Sequence, residues 1–336
     1  MKKFVVWTLA LAMMCTMSAC GKNGETAGAG TEEGSKLKAV LVTDTGGLGD
    51  RSFQDSAWAG LQRAEKELGV EISVIEPKTA ADFGSSMVSA VKGGADIVFA
   101  FGNSFTDVLN EYAPKFPDTR FVGLNCNAVS DNLTVAMTSD HEGSFLAGAL
   151  AAMKTKTGII GAVGGVEGDN INRFFVGYEE GAHYVNPDVT VLKSYIGSFA
   201  DPAKGKEFSL QMKNQGADII FQVAGGSGEG LFEAVRENED LYAIGVDANQ
   251  DYIVEGKILT SMVKNCDVVV YDSIKQLMDG KLQSGSISYN LSNDGVGLTD
   301  MEFTKDYIGG DAIQELDAIR EKIISGEIKV TDLFEQ

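Results

Sequence analysis

The 336-residue chain has few basic residues: 28 lysines and arginines stand against 48 aspartates and glutamates, for a formal net charge of -20. A nucleic-acid surface needs clustered lysine and arginine, so this balance argues against nucleic acid and leaves a small polar ligand or another protein as the partner. The two histidines, His141 and His183, do not lie near a cysteine, and the four cysteines show no metal, redox or disulfide-framework spacing. We therefore expect no metal and no cofactor.

Sequence motifs for catalysis are also missing. No Gly-x-Ser-x-Gly motif occurs, since Ser227 is followed by Gly228 and Glu229, and no Cys–His pairing is evident. The glycines at Gly225 and Gly226 resemble a phosphate loop, but no Gly-Lys-Ser/Thr follows them, which sets nucleoside triphosphate binding aside. The sequence therefore favours a binding protein over an enzyme.

The N-terminus has the pattern of an export signal. Two lysines precede an apolar run at 4–14, which is too short for a confident transmembrane span. The motif Met-Ser-Ala-Cys-Gly around Cys20 resembles a bacterial lipobox, which implies a signal peptide at 1–19 and lipidation of Cys20; the alternative is a plain secretory signal with an incidental cysteine. Residues 20–36 are polar and glycine-rich, which predicts a flexible tether. We expect an extracytoplasmic protein anchored to the membrane by its lipid.

The rest of the chain alternates short apolar runs with helical patterns, which is typical of an α/β fold with parallel sheets. The predicted strands are 39–43, 72–75, 97–101, 120–124, 133–137, 158–163, 189–195, 218–223, 242–246 and 259–263. The predicted helices include 82–92, 107–115, 143–153, 170–184, 203–215, 230–237 and 311–325. We expect two doubly wound, Rossmann-like lobes, with lobe 1 formed by 37–139 plus 264–291 and lobe 2 by 140–263 plus 292–336.

The two halves also resemble each other in sequence. The hexapeptide Gly-Ala-Asp-Ile-Val-Phe at position 94 returns as Gly-Ala-Asp-Ile-Ile-Phe at position 216, an offset of 122. The same offset pairs Asn125 with Asp247, and an offset of 121 pairs Phe53 with Phe174. So long a period is not that of a solenoid repeat. It indicates two lobes of one fold; chance similarity between two βαβ units is the alternative.

Five motifs, in this order, carry a resemblance to a known family. They are Asp44-x-Gly-x-x-x-Asp50-x-Ser-Phe53, Gly197-Ser198-Phe199-x-Asp201, Gly225-Gly226-x-Gly228-x-Gly230, Gly245-Val246-Asp247 and Thr260-Ser261-x-x-Lys264. Together they resemble the basic membrane protein family, nucleoside-binding lipoproteins of the purine nucleoside receptor type. The resemblance implies a type I periplasmic-binding-protein fold with a three-strand hinge. It also implies capture of purine nucleosides of the inosine, guanosine and adenosine class for the permease and ATPase subunits of an ABC importer.

The resemblance implies that Phe53 and Phe199 sandwich the base, one from each lobe. Stacking of a base on an aromatic ring contributes ~1–3 kcal/mol. The alternative is that each phenylalanine packs within its own lobe. The neighbouring glycines and aspartates favour the rim of a cleft, which in a two-lobed α/β protein lies at the carboxyl ends of the strands.

For the ribose, the resemblance implies the pair Asp247 and Lys264. A carboxylate accepts from two hydroxyls and an ammonium group donates beside it, and the two charges neutralise each other in a closed cleft. The alternatives are a helix cap for Asp247 and a solvated surface lysine for Lys264. Gly225 and Gly226 would let main-chain amides approach the sugar.

The base edge is assigned to Asp44 and Asn125, with Gln54 as a further candidate. Here the chain departs from the family pattern, which often has asparagine at the position of Gln54 and aspartate at that of Asn125. Because an amide both donates and accepts whereas a carboxylate only accepts, base preference is the property most affected. The alternatives to nucleoside transport are a surface nucleoside hydrolase or phosphorylase and a related protein that binds another small polar ligand.

Overall fold

Two six-stranded sheets organise residues 36–334, the part of the chain that the computed structural model describes. The first sheet contains β1 (Lys38–Val42), β2 (Glu71–Ile75), β3 (Ile97–Phe101), β4 (Arg120–Leu124), β5 (Leu133–Thr138) and β11 (Gly285–Tyr289). The second contains β6 (Ile159–Gly164), β7 (Thr190–Tyr195), β8 (Ile219–Val223), β9 (Tyr242–Asp247), β10 (Ile258–Lys264) and β12 (Val296–Leu298). The strand orders are β11-β5-β4-β3-β1-β2 and β12-β10-β9-β8-β6-β7.

Helices cover both faces of each sheet. They are α1 (Phe53–Leu68), α2 (Phe83–Lys92), α3 (Thr106–Tyr112), α4 (Asp140–Lys154), α5 (Asp169–Val185), α6 (Pro202–Asn214), α7 (Glu229–Glu237), α8 (Cys266–Met278), α9 (Lys305–Ile308) and α10 (Gly310–Ile324). Strands covered on both faces become continuous apolar runs, and β3 and β8 are buried throughout. The α/β prediction with two parallel sheets is confirmed. Of the described helices, none is long and apolar enough to cross a membrane.

The two sheets have the same strand order, since each strand of the first has a counterpart at the same place in the second, but β11 pairs parallel and its counterpart β12 antiparallel. Gly60 and Gly181, which are separated by the same offset of 121 as Phe53 and Phe174, have equivalent packing roles. A β-carbon at Gly60 would lie 2.6 Å from the carbonyl oxygen of Asp267 in α8, and one at Gly181 would lie 1.9 Å from that of Phe145 in α4. Only glycine permits such close helix approach.

All ten predicted strands occur, within a residue or two of their expected bounds. The strands β11 and β12 and the helices α8 and α9 were not predicted. β11 is a largely exposed strand at the sheet edge with two serines, β12 has only three residues, and α8 contains the β-branched run Val268–Val270, which favours strands locally. Tertiary packing decides these elements.

The chain passes between the two sheets three times. It leaves the first sheet after Thr138, returns after Lys264 through α8, which packs on α1, and leaves again after Tyr289 to form β12. Among the strands of residues 36–334, only β12 pairs antiparallel, with β10. The predicted signal peptide, the lipidation site Cys20 and nearly all of the predicted tether lie outside the described residues.

Candidate functional site

A cavity of about 360 Å³ lies where the carboxyl ends of the two sheets face each other. Its volume falls in the range of ~300–1,000 Å³ that is usual for small-molecule sites. Eight of the nine predicted ligand-binding residues line it: Asp44, Phe53, Asn125, Phe199, Gly225, Gly226, Asp247 and Lys264. Gln54, the ninth, does not line it.

The two phenylalanines reach the cavity from opposite sheets. Phe53 is the first residue of α1, and its ring lies near Gly102, which follows β3. Phe199 follows β7, and its ring covers Gly165 so closely that a β-carbon there would lie 2.2 Å from it. Phe199 remains 39% exposed. A ring this exposed contributes little to the core of its own lobe, so its position suits a ligand contact better than internal packing.

Asp247 and Lys264 form a buried ion pair at the same cavity. The Lys264 Nζ atom lies 4.0 Å from Asp247 Oδ1 and 3.2 Å from Asp140 Oδ2. The alternative of a solvated surface lysine is therefore wrong. Asp247 does not act as a helix cap in the described structure; its Oδ2 accepts a hydrogen bond of 2.6 Å from the Ser52 hydroxyl, across the cavity between the sheets.

The charges of this pair are set by burial and by neighbours. Burial raises the pKa of Asp247, against the opposing effects of Lys264 and Ser52. Burial alone would lower the pKa of Lys264, but the attraction of Asp140 and Asp247 outweighs it and raises that pKa. Lys264 is therefore a stable cation held between two buried carboxylates.

Asp140, which the sequence did not single out, connects these groups. Its carboxylate accepts from the Thr138 hydroxyl at 2.6 Å and from Asn125 Nδ2 at 2.7 Å, besides pairing with Lys264. Asn125 Nδ2 also donates to Thr138 Oγ1, and its Oδ1 accepts from the Thr138 amide. Both amide hydrogens of Asn125 are thus used internally, which leaves only a lone pair on its oxygen for a ligand.

Asp44, in the loop after β1, and Gln54, the second residue of α1, lie close together. Asp44 Oδ1 accepts from the Gly46 amide at 2.8 Å, and burial raises the pKa of this carboxyl, while Gly46 and Gln54 act to lower it. Gln54 is 2% exposed, and neither of its amide atoms makes a hydrogen bond of ordinary length within the described structure. A buried amide is rarely left incompletely hydrogen-bonded, so this side chain has unused hydrogen-bonding capacity next to Asp44.

The start of α1 is held by Asp50, whose carboxylate accepts from the amides of Ser52, Gln54 and Asp55 at 2.9–3.1 Å. Burial raises the pKa of Asp50 to about 6 in spite of these three bonds. The bonds orient the turn that presents Phe53 to the cavity.

Phe174 in α5 lines the cavity but was not among the predicted contacts. The Lys264 Nζ atom lies 4.8 Å from the Phe174 ring centroid and 5.1 Å from that of Phe53, so the ammonium group contacts two aromatic faces. The internal repeat, which pairs Phe53 with Phe174, was the signal that could have identified it.

The cavity wall is strongly acidic. Carboxylates from both lobes line it, at Asp44, Asp50, Glu167, Asp169 and Asp247, and Lys264 is the single lysine or arginine among the described lining residues. Like charges at short range disfavour an anionic ligand. The wall therefore suits a neutral molecule with hydrogen-bond donors.

Direct contacts between the lobes close the cavity on one side. Gln250 Nε2 donates to the Arg51 carbonyl oxygen at 2.9 Å, and the Arg51 guanidinium lies 3.5 Å from the Glu229 carboxylate. With the Ser52–Asp247 hydrogen bond, they tie the loop after β1 to the second lobe.

The chain is similar in sequence to a family of known proteins. Residues 37–333 match the Bmp family model, described as ABC transporter substrate-binding protein PnrA-like. An ABC transporter nucleoside-binding protein, BmpA, of Lactococcus lactis is 36% identical over 323 residues, covering 89% of this chain and 92% of that protein. Basic membrane protein A of Borreliella burgdorferi is 32% identical over 305 residues, covering 88% of both proteins.

Solved structures of other proteins share the fold of this chain. A solute-binding protein of an ABC transporter system from Aeropyrum pernix superposes with a TM-score of 0.82 at 28% identity, covering 88% of this chain and 93% of that one. A transcriptional activator of the comK gene from Bacillus halodurans superposes with a TM-score of 0.74 at 24% identity, which shows a shared fold alone.

Proposed function

The chain belongs to the Bmp family of PnrA-like ABC transporter substrate-binding proteins, and from this premise we propose that it captures purine nucleosides in the cavity between its lobes. Membership makes it a substrate-binding protein rather than an enzyme, so the hydrolase and phosphorylase alternatives do not hold. The observation that carries the ligand class is the pairing of Phe53 and Phe199 from opposite lobes around a cavity that also holds the Asp247–Lys264 ion pair.

Each part of a nucleoside finds matching chemistry in this cavity. The two aromatic rings suit the faces of a base, and Asp247 with Lys264 suits the ribose hydroxyls. Asp44 offers an acceptor to a base N–H, and Gln54 lies beside Asp44 without lining the cavity. The acidic wall disfavours nucleotides, because a phosphate would meet carboxylates with a single cation to offset them.

Transport follows from closure of the lobes around the ligand. A ligand that contacts both lobes favours the closed arrangement by its differential affinity, while the three chain crossings bend. The closed form would dock on the permease and ATPase subunits of the importer. Lipid on Cys20 would keep the protein at the extracytoplasmic face of the membrane.

A thermal-shift panel tests the proposal. Purine nucleosides, pyrimidine nucleosides, free bases, ribose and nucleoside 5′-monophosphates are compared at equal concentration. Stabilisation grows with the ratio of ligand concentration to Kd, so purine nucleosides should raise the melting temperature most. Equal or larger shifts with ribose alone or with a monophosphate would contradict the assignment.

A further inference from the structure

The side chain of Arg173 in α5 is charged, long and almost completely buried, with 2% exposure. Asp332, in the segment that follows α10, holds it with two parallel hydrogen bonds: Nε to Oδ1 at 2.7 Å and Nη2 to Oδ2 at 2.9 Å. The Phe334 ring covers the same guanidinium, with its centroid 4.2 Å from Cζ. Bidentate pairing fixes the plane of an arginine as well as its position.

The guanidinium also contacts the first turn of α4. Arg173 Nη1 lies 3.5 Å from Asp140 Oδ2, and Nη2 lies 3.2 Å from His141 Nδ1. The same Asp140 oxygen accepts from Asn125 and pairs with Lys264. Contacts therefore run without a gap from Asp332 through Arg173 and Asp140 to two residues of the cavity wall.

The charge count explains why Arg173 is needed. Two carboxylates, Asp140 and Asp247, are buried around one ammonium group, Lys264. A buried charge without a partner is costly, so a second cation must compensate the pair. Arg173 is that cation, and Asp332, whose side chain is only 14% exposed, holds it in place, so the cluster contains three carboxylates and two cations.

We propose that Asp332 and Arg173 are positioning residues for the ligand site. The C-terminal segment clamps Arg173 against Asp140, and Asp140 then fixes the Lys264 ammonium and the Asn125 carboxamide at the cavity wall. The inference rests on the proposed function, because it treats Lys264 and Asn125 as ligand contacts. It assigns to the last residues of the chain a part in ligand affinity, although they do not line the cavity.

Calorimetric titration with inosine tests the proposal on the full chain, with Asp332→Asn as the test variant. A mutation in a network of connected residues typically changes the coupling between two sites by an amount that corresponds to ~2- to 30-fold in Kd. We expect Asp332→Asn to lower the affinity for inosine within that range. Asp332→Glu, which keeps the charge, should recover part of it. Asp188→Asn, at an exposed aspartate of the same lobe, should bind as the wild type does.

A control separates positioning from general loss of stability. Leu316→Ala opens a cavity in the same lobe's core, because Leu316 of α10 is buried there, and it lowers the melting temperature without touching the clamp. At a temperature where all variants are folded, Asp332→Asn should bind inosine more weakly, whereas Leu316→Ala and Asp188→Asn should bind it as the wild type does. Wild-type affinity in Asp332→Asn, or an equal loss in Leu316→Ala, would overturn the inference.

A second measurement needs no ligand. In a double-mutant cycle of urea midpoints, Asp332→Asn and Lys264→Met should be non-additive, because Arg173 and Asp140 connect the two sites. Additive shifts would overturn the proposed connection whatever the ligand is. Failure of the wild type to bind any nucleoside would instead overturn the proposed function, so the two failures are distinguishable.

Discussion

Replacing Lys264 by methionine should destabilise the protein strongly at neutral pH. The ammonium group lies between Asp140, at 3.2 Å, and Asp247, at 4.0 Å, and all three side chains are buried. Removing one partner of a buried ion pair leaves an uncompensated charge and costs about 3–5 kcal/mol. Methionine keeps an unbranched apolar chain against the rings of Phe53 and Phe174, so the loss reports mainly on charge.

The cost of Lys264→Met should depend on pH. Arg173 still faces Asp140 in the variant, so Asp247 loses its main compensating charge and its pKa, already raised by burial, rises further. The folded variant then binds more protons than the unfolded chain, and its stability increases as pH falls. The difference in free energy of unfolding between wild type and variant should therefore shrink from pH 7 to pH 5.

Urea unfolding at both pH values measures this difference, with the slope of the transition checked for two-state behaviour. Lys305→Met, at an exposed lysine of α9, is the matched control and should change stability by less than about 0.5 kcal/mol. A Lys264→Met variant as stable as the wild type, or one whose deficit is the same at pH 5 and pH 7, would refute the role assigned to this charge.

Three further predictions concern the cavity wall. Phe199→Ala should weaken nucleoside binding by ~1–3 kcal/mol, about 5- to 150-fold in Kd. The melting temperature should change little, because the ring is 39% exposed. Unchanged affinity in calorimetry would contradict a stacking role for Phe199. Gly165→Ala should displace the Phe199 ring and weaken nucleoside binding. Gly310→Ala, whose β-carbon meets nothing within 4 Å, should bind as the wild type does. Equal affinities of the two variants in calorimetry would contradict this prediction. Asp50→Asn should gain stability relative to the wild type as pH rises from 3.8 to about 6. Burial raises the pKa of Asp50, so the folded wild type loses stability as the Asp50 carboxyl loses its proton over that range. A difference between the two urea denaturation curves that stays constant over that range would show that Asp50 does not titrate as described.

The sequence predicted those parts of the fold that follow from local patterns of apolar residues. β3 and β8 are continuous apolar runs, and their alternation with helices predicts parallel sheets. Edge elements such as β11 carry no such pattern, because a largely exposed, serine-containing strand is stabilised by its neighbour and not by its own residues.

The residues of the candidate site likewise divide into those that local patterns predict and those that depend on tertiary contacts. Strand ends and family motifs pointed to Asp247 and Lys264, which end β9 and β10, and to Phe53, which begins α1. Asp140 looked like an ordinary first-turn aspartate of α4, and its role depends on groups brought together from several elements. The Arg173–Asp332 pair joins residues 159 positions apart, and no local pattern predicts such a contact.

The most direct test of the account is calorimetric titration of the wild-type protein with inosine, followed by recovery of the ligand. We expect saturable one-to-one binding of inosine, weaker binding of hypoxanthine or ribose alone, no binding of inosine 5′-monophosphate, and recovery of intact inosine. Absence of binding by any purine nucleoside, or release of free hypoxanthine, would contradict it.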